Sequence, residues 1–431
     1  MIVKKCGGVP LAIKALESLM SFKSHESEWL AIKESEIWHL GVDENCILPA
    51  LRLSYDNLMP HMIQCFAYCC IFPKDHKMEE NQLVQLWMAN GFVPYEGQTD
   101  LHLAGHLIFK ELVWRSFLQD VKTNFNGEMT CKMHDLMHDL ALSVMRHETY
   151  ILELRKVPKF PKMLHHLGLH LQPSEAIPEN ERKLKLPMDD SLHSLIVHES
   201  GTQLDIESFH SLLCTPPGLG DLTCLRQLSI FIVGQDASHQ INQLKELNLG
   251  GKLSIKGLEN VRNLEDAKSA NLMAKRNLTY LSLYWKDINE DSAEEVLEGL
   301  QPHENLEMMR ISSYQAALLE NMSSLTSLTF QDCKKLNPLS GRPLRSGAVL
   351  EHLIIVGCPE LKDFPESVQK LICLRVLRIC ECEGLRSLPD WLSRCPNLEK
   401  RCEKPNGENW LAISHIPFIC IDRDIVQDLD I

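Results

Sequence analysis

One spacing of apolar residues recurs through the second half of this 431-residue chain. Each unit has leucine or another apolar residue at positions 1, 4 and 6, cysteine at position 9 and leucine at position 12. Three complete units begin at residues 325, 350 and 374, so they are 25 and 24 residues apart. A unit of this length cannot bury its apolar face alone, so neighbouring units must stack into a solenoid. The matching residues are Leu325, Leu328, Phe330, Cys333 and Leu336, then Leu350, Leu353, Ile355, Cys358 and Leu361, then Leu374, Leu377, Ile379, Cys382 and Leu385.

This spacing is that of leucine-rich repeats, whose units are roughly 20–29 residues long. The cysteine stands where the chain turns away from the strand, and a small, weakly polar side chain fits there. We expect about eight or nine stacked turns of irregular length, with a further strand over 253–255. Shorter matches to the first half of the spacing begin at Leu164, Leu192, Leu225, Leu278 and Leu306.

Side chains alternate along a strand, so the residues between and after the two inward leucines of L-x-L point outward. We expect these outward residues to form the concave, ligand-facing surface. Exposed aromatic side chains and arginine are enriched at binding hot spots. For Phe231 and Trp285 the alternative is packing under an adjoining loop. The predicted partner-binding residues are Phe231, Tyr284, Trp285 and Arg378, with Ser229, Ser282 and Cys380 also outward.

The first 150 residues predict helices followed by a β-hairpin, which together describe a winged-helix-like module. The helices are expected at 79–92, 103–116 and 135–145, and the strands at 117–121 and 129–133, joined by a turn over 123–127 that ends in Asn-Gly. Winged helices often bind DNA, but residues 47–146 contain 8 Lys and Arg against 11 Asp and Glu, a net charge of −3. We therefore expect no nucleic-acid partner, because a DNA reader is basic on its docking helix.

Charge, apolar runs and cysteine usage together indicate the cellular compartment of the protein. The formal net charge is −14, and no clustered Lys and Arg are present that could neutralise phosphates. Lys14 and Glu17 interrupt the N-terminal apolar stretch, and no run approaches the roughly 20 apolar residues of a membrane span. Several of the 16 cysteines occupy core positions of the repeat, as expected in a reducing environment. We predict a cytoplasmic protein, with the nucleus as the alternative.

Four short segments resemble motifs of plant nucleotide-binding leucine-rich-repeat disease-resistance proteins, of the non-Toll, coiled-coil type. Residues 7–12, GGVPLA, resemble the GLPLA motif. Residues 65–75, CFAYCCIFPKD, and 86–92, LWMANGF, resemble the fourth non-Toll signature, and residues 133–136, MHDL, resemble the MHD motif. The order and spacing match too, and a tail over 410–422 resembles the segment that closes such arrays. The resemblance covers essentially the whole chain.

The resemblance also implies a nucleotide site. In the family the proline of GLPLA packs against adenine and the MHD histidine reaches the ADP phosphates. This implies that Pro10 and His134 bind ADP or ATP, with Asp135 positioning the histidine loop. Without the resemblance, Pro10 is a proline at a helix start and His134 a surface histidine. Cys131, His134 and His138 together supply only three zinc ligands, so we expect no metal.

The chain departs from the family pattern at its start. The sequence contains no Walker A loop, G-x-x-x-x-G-K-[ST], and no Walker B strand before the GLPLA-like motif. We therefore expect an N-terminally truncated product or an incomplete gene model. We also expect no enzymatic activity, and weak or absent ADP binding, because Walker A supplies most bonds to the phosphates.

The resemblance implies an intracellular immune receptor. Its repeats recognise a pathogen effector or a guarded host protein and restrain an ADP/ATP switch. One alternative is a non-switching repeat module or decoy that acts on the nucleotide-binding domain of a full-length relative; another is an ATP hydrolase. The predicted architecture is α/β: a remnant of the nucleotide-binding helical subdomain over 1–46, a winged-helix-like subdomain over 47–150, and a leucine-rich-repeat solenoid with a C-terminal cap over 151–431.

Overall fold

A computed structural model places most of the chain in two compact units, Met1–Ala176 with Ser191–Phe209 and Ile177–Asp190 with His210–Ile431. The predicted turn over 124–127, Leu336, Leu385 and most of the tail over 410–422 lie outside the described residues. The structure describes residues 6–39, 48–94, 100–123, 129–153, 160–161, 163–171, 191–199, 215, 217–286, 293–313, 323–333, 349–361, 373–382, 384, 418–421 and 424–427.

The first unit begins with short helices whose starts are set by proline or by a capping side chain. Pro10, Pro49 and Pro60 each occupy the first turn of a helix. Backbone N–H groups in the first turn have no intrahelical acceptor, so the N–H that proline lacks costs no hydrogen bond there. Asp100 caps a longer helix by accepting a hydrogen bond from His102 N–H at 2.9 Å. The helices are α1 (Pro10–Ser21), α2 (Glu26–Glu34), α3 (Pro49–Asp56), α4 (Pro60–Tyr68), α5 (Glu80–Ala89), α6 (Leu101–Trp114) and α7 (Asp135–Met145).

A three-stranded antiparallel sheet completes the helical module. Its strands are β1 (Met78–Glu79), β2 (Gln119–Thr123) and β3 (Met129–Lys132), in the order β1-β3-β2. The hairpin predicted from the sequence is therefore confirmed. The two-residue strand β1 was not predicted, because it is too short to show an alternating pattern.

One apolar core lies under these helices and strands. The α3 helix packs against both α1 and α7, and Ser54 Oγ donates a buried hydrogen bond to Ala15 O at 3.0 Å. No helix in the described ranges combines the length and the apolar character needed to cross a membrane. Fully buried aromatic rings fill the centre, among them Phe66, Trp87, Phe109 and Phe117.

The first unit also contains the first parallel strands of the solenoid. They are β4 (Thr149–Glu153), β5 (His166–Leu171) and β6 (Ser194–Glu199), paired in register. Leu167 and Leu195, inward positions of the two weakest sequence matches, are buried. The strand β6 is buried on both faces, because Ile196 belongs to the core of the helical module.

The second unit is a ladder of parallel strands closed by one antiparallel strand. The order from β8 to β15 follows the sequence, as stacked repeats require, and β16 pairs antiparallel with β15. Two short helices, α8 (Leu264–Lys268) and α9 (Ala293–Gly299), connect strands. The strands are β7 (Gln227–Leu228), β8 (Ile230–Ile232), β9 (Gly250–Lys256), β10 (Asn277–Tyr284), β11 (Met308–Ser312), β12 (Ser327–Gln331), β13 (His352–Val356), β14 (Val376–Cys380), β15 (Phe418–Ile421) and β16 (Asp424–Gln427).

Equivalent positions of the strands form columns that run across the sheet. Both inward positions of L-x-L are buried in each strand from β9 to β13, which confirms the predicted register there. The first inner column contains Leu253, Leu281, Met309, Leu328 and Leu353, and the second contains Ile255, Leu283, Ile311, Phe330, Ile355 and Ile379.

The template cysteines satisfy the backbone where each strand ends. Cys333, Cys358 and Cys382 are buried, and each follows a residue with positive φ: Asp332 at 53°, Gly357 at 67° and Glu381 at 56°. This left-handed residue turns the chain out of the strand. The Cys333 thiol lies 3.4 Å from Gln331 O, and the Cys382 thiol lies 3.3 Å from Cys380 O. The predicted role of cysteine at position 9 is confirmed.

Candidate functional site

The GLPLA-like segment forms the start of α1. Gly7 and Gly8 have φ of 59° and 79°, a conformation that glycine adopts without strain, and they turn the chain from buried Cys6 toward the helix. Pro10 is the first residue of α1 and its ring is exposed. An exposed, rigid ring of this kind is available to stack on a planar ligand.

The MHD-like segment forms the start of α7. His134 is the N-cap, and its Nδ1 accepts a hydrogen bond from Leu136 N–H at 3.1 Å. In the neutral ring the proton is then on Nε2, which remains a donor. Asp135 follows as the exposed first residue of the helix. Its position in the first turn complements the helix dipole.

These groups fit an adenine nucleotide only in part. Pro10 offers an apolar ring and His134 one N–H donor, but the carboxylate of Asp135 in the same turn repels phosphate. A Cβ placed on Gly7 or Gly8 would meet nothing within 4 Å, so no close-fitting cradle surrounds these glycines in the described residues. The helix that Pro10 begins and the helix that His134 caps both contact α3. The described residues therefore do not form a phosphate cradle.

Of the three residues considered for zinc, His134 and His138 form other hydrogen bonds and Cys131 is buried. Cys131 lies in β3 and is fully buried, and His138 Nε2 donates to Phe72 O at 2.8 Å. Among the described residues no group of three or more His, Cys, Asp or Glu side chains is arranged to hold a metal ion.

The signature segment over 65–75 is the centre of the core rather than a reactive surface. Cys65, Cys69 and Cys70 are buried free thiols. Burial raises the pKa of the Cys70 thiol to about 12 and raises the pKa of Cys65 and Cys69 as well. Thiols held in the protonated form are poor nucleophiles, so these cysteines act as small apolar core residues.

Two histidines from distant parts of the chain bind neighbouring carbonyls at the end of this segment. His198 Nε2, from β6, donates to Ile71 O at 2.9 Å. His138 Nε2, from the helix that follows the MHD-like segment, donates to Phe72 O at 2.8 Å. Both histidines are buried. The successive carbonyls of Ile71 and Phe72 therefore join α7 to the first repeat strands.

A second buried contact reinforces this junction. Tyr68 Oη lies 3.2 Å from Ser194 Oγ, and Ser194 Oγ lies 3.2 Å from His166 Nδ1. The rings of Tyr68 and His166 meet edge to face at 5.0 Å. Gly168 of β5 is close enough to the segment that an added Cβ would lie 2.7 Å from Ile71 O. The helical module and the first three repeat strands thus pack as one body.

The outward residues of β9 to β14 form the outer sheet face, which consists of three columns of six residues. In β10 the alternation is as expected: Leu281 and Leu283 are buried, and Ser282 and Tyr284 are partly exposed. Arg378 is also partly exposed. The columns are Lys252, Tyr280, Met308, Ser327, His352 and Val376, then Ser254, Ser282, Arg310, Thr329, Ile354 and Arg378, then Lys256, Tyr284, Ser312, Gln331, Val356 and Cys380.

The outward placement of Phe231 is wrong. Phe231 is fully buried and pairs with Ile255, so it continues the second inner column, although Ile230 had been placed there. The strand is interrupted at Ser229, between β7 and β8. One extra residue at this break reverses the alternation that follows, because a slip of one residue moves each side chain to the opposite face.

Trp285 and Cys380 are also not available at the surface. Trp285 is 1% exposed, because alternation from Leu283 carries it back to the inner side. Cys380 lies in an outward column but is 3% exposed. Of the four predicted partner-binding residues, Tyr284 and Arg378 remain on an accessible face, and Phe231 and Trp285 are core residues.

Tyr284 belongs to a group of cations and tyrosines on β9 to β11 whose other members were not predicted. Lys252, Lys256, Tyr280, Tyr284 and Arg310 lie on adjacent strands of the outer sheet face and are called the cationic patch below. Lys252 Nζ lies 4.8 Å from the centre of the Tyr280 ring, and Lys256 Nζ lies 5.7 Å from that of Tyr284. The alternation of side chains along a strand, which predicted Tyr284, also predicts that these residues point outward. The prediction was not extended to the positions before the first inward leucine, nor to β9 and β11.

The fold and these motifs define a winged-helix module followed by a leucine-rich-repeat solenoid. Two family models match the chain: the disease resistance protein winged helix domain over residues 71–141, and the R13L1/DRL21 leucine-rich repeats over residues 241–358. The chain belongs to the plant disease resistance proteins of this architecture.

Three curated relatives come from Solanum bulbocastanum. The chain is 35% identical to the putative disease resistance protein RGA1 over 409 residues, which is 79% of this chain and 42% of RGA1. It is 34% identical to disease resistance protein RGA2, over 79% of this chain and 42% of RGA2. It is 36% identical to the putative disease resistance protein RGA4, over 81% of this chain and 42% of RGA4. The chain therefore spans about two fifths of the length of these relatives.

Proposed function

We propose that this chain is the winged-helix and repeat part of a plant intracellular immune receptor, in which the repeats recognise a pathogen protein or a guarded host protein. The observation that carries the proposal is the outer sheet face, which presents tyrosine and cationic side chains on a regular scaffold. Rigid strands position such side chains with little loss of entropy on binding. The similarity to named disease resistance proteins supports the biological context.

We also propose that the repeats restrain an ADP/ATP switch through the junction at Ile71 and Phe72. The helix that follows the MHD-like segment and the repeat strand β6 donate hydrogen bonds to neighbouring carbonyls of that junction. A displacement of the first repeat strands would break His198 Nε2–Ile71 O and loosen the packing beside α7. Coupling of this kind requires an element with two arrangements that both sites bias.

In this proposal the described residues contribute to a nucleotide site without completing it. Pro10 and His134 supply an apolar ring and one donor, and Asp135 positions the histidine loop. The remaining phosphate contacts come from a Walker A loop, which the printed sequence does not contain. We propose that the chain acts as a recognition and restraint module, and we place its activity in the cytoplasm.

The test is capture of a partner from extracts of infected leaf tissue on the purified chain. The wild type is compared with the double variant Tyr284→Ala plus Arg378→Ala and with a control, Lys245→Ala plus Lys268→Ala, whose lysines are exposed outside the outer sheet face. Circular dichroism first shows that each variant is folded. We expect one pathogen or host protein to be retained by the wild type and the control and lost by the face variant.

Two outcomes would contradict the proposal. If a specific partner binds the face variant at full strength, the outer sheet face is not the recognition surface. If extracts from infected and healthy leaves yield no protein that is retained specifically, the chain does not act as a recognition module.

A further inference from the structure

The charge of the outer sheet face is opposite to that of the chain. The chain has 58 Asp and Glu against 44 Lys and Arg. None of the residues in the three outward columns of β9 to β14 is acidic, whereas Lys252, Lys256, Arg310 and Arg378 are cationic. A face that carries only one sign of charge attracts partners of the opposite sign.

Two of the three cations of the cationic patch are held over aromatic rings. The ammonium groups of Lys252 and Lys256 stand at 4.8 Å and 5.7 Å from the rings of Tyr280 and Tyr284. At Lys252 the cation–π contact leaves the positive charge in place, unlike an ion pair, which would neutralise it. Lys252 is exposed and forms no ion pair with any described carboxylate.

Arg310 lies on the next strand and adds a third cation. It pairs in register with Ser282, which is itself in register with Ser254 between the two lysines. Its Nε is buried and has no hydrogen-bond partner among the described residues. A buried donor without a partner is costly, and an acceptor that enters from outside the sheet would recover that energy.

In the part of the chain that the structure describes, carboxylates adjoin these columns where strands begin and end. Glu307 and Glu351 precede β11 and β13, and Glu351 lies 3.7 Å from Arg375. Asp332 and Glu381 follow β12 and β14, and burial raises the pKa of the Asp332 carboxyl. These groups frame the face, so an anionic partner is favoured in the middle of the sheet and disfavoured at its two margins.

We propose that the cationic patch binds an acidic polypeptide segment, whose carboxylates contact Lys252, Lys256 and Arg310 while its backbone and apolar groups rest on Tyr280 and Tyr284. Strands lie about 4.8 Å apart, so Lys252 on β9 and Arg310 on β11 are roughly 10 Å apart across the sheet. In an extended segment of the polyproline II type, which rises about 3.1 Å per residue with three residues per turn, this distance separates side chains that are three positions apart and on the same side. The preferred segment is therefore extended, with Asp or Glu at roughly every third position. This proposal rests on the proposed function, because it names the chemistry of the partner that the repeats recognise.

The test uses a fluorescein-labelled peptide of about twelve residues with Glu at every third position and Ser or Ala between. Binding to the full chain is measured by fluorescence anisotropy. The face variant is Lys252→Glu plus Arg310→Glu, and the control with the same change in net charge is Lys245→Glu plus Lys268→Glu. Should the face variant fail to fold by circular dichroism, Lys252→Gln plus Arg310→Gln replaces it.

We expect the wild type and the control to bind the peptide, and the face variant to bind at least about tenfold more weakly. Binding should weaken as salt rises, and the same peptide with Lys in place of Glu should bind the glutamate face variant better than the wild type. Equal binding by the face variant and the control overturns the proposal. Absence of binding to the wild type overturns it too, and so does stronger competition by single-stranded RNA than by the glutamate peptide.

The outcome is separable from that of the proposed function. If the wild type retains a specific leaf or pathogen protein that the glutamate peptide does not displace, the acidic preference fails while protein recognition stands. If no protein is retained but the peptide binds, the acidic preference of the patch stands while the proposed recognition of a pathogen or host protein fails.

Discussion

Individual buried histidines tie the helical module to the first repeats, and His166 is the one whose titration is most constrained. Its ring is 4% exposed and lies between Tyr68 and Ser194. Burial, followed by the neighbouring His193 and His165, lowers the pKa of His166 from 6.5 to about 3. Protonation of this side chain is therefore coupled to folding.

Stability should fall as the pH is lowered below 6.5. In that range the unfolded chain takes up a proton at His166 that the folded chain does not, so protons favour the unfolded state down to about pH 3. At pH 5 the loss from this residue is about 2 kcal/mol. His166→Gln should remove that part of the pH dependence, measured by urea denaturation at pH 7 and pH 5.

The matched control is the exposed His147→Gln, which should leave the pH dependence of the wild type unchanged. If the wild type and His166→Gln lose the same free energy of unfolding between the two pH values, His166 is not buried in the neutral form.

Residue roles were predictable from the sequence only where a repeated spacing or a family motif fixed them. His134 at the start of α7 follows from the MHD-like motif, and the buried template cysteines follow from position 9. The bond from His198 to Ile71 O joins residues 127 positions apart. No local pattern records such a contact, because it depends on how two separately formed elements pack.

At the scale of strands, the repeat register was predictable because the same three apolar positions recur in successive repeats. The register assigned to one strand must therefore agree with that of the strands beside it. Leu353 and Ile355 in β13 are both buried and stack on Leu328 and Phe330. The prediction failed at Phe231, where an extra residue at Ser229 leaves the leucine spacing intact but reverses the faces beyond it. A bulge of this kind has no signature in the spacing of leucines.

A pair of substitutions on one strand tests this register. Leu353→Asp places a carboxylate in the inner column, which costs several kcal/mol and should open the adjoining repeats. Ile354→Asp places the same carboxylate on the partly exposed outer face, where water can solvate it. Limited trypsin digestion should therefore cut Leu353→Asp much faster than the wild type and Ile354→Asp at nearly the wild-type rate. Equal resistance of the two variants would show that the assigned faces are wrong.

At the scale of the whole molecule, the proposed function combines a recognition surface with a nucleotide site to which this chain contributes only part of the contacts. Walker A would contribute several backbone N–H bonds and a lysine to the phosphates. Loss of three such hydrogen bonds to charged groups removes about 5 kcal/mol, which exceeds a thousandfold in affinity. We therefore predict no measurable ATP hydrolysis, and ADP binding that is weak or absent in titration calorimetry of the purified chain. Submicromolar ADP binding would require a phosphate cradle that the described residues do not show.

The central claim is that the repeats of this chain recognise a protein through the outer sheet face. The most direct measurement is a titration of the purified partner, once captured, against the wild type and against Tyr284→Ala plus Arg378→Ala. We predict that the double substitution weakens binding by at least about tenfold with no change in the circular dichroism spectrum, since each truncated hot-spot residue costs about 1 kcal/mol or more. Equal affinity of a folded double variant and the wild type would contradict the claim.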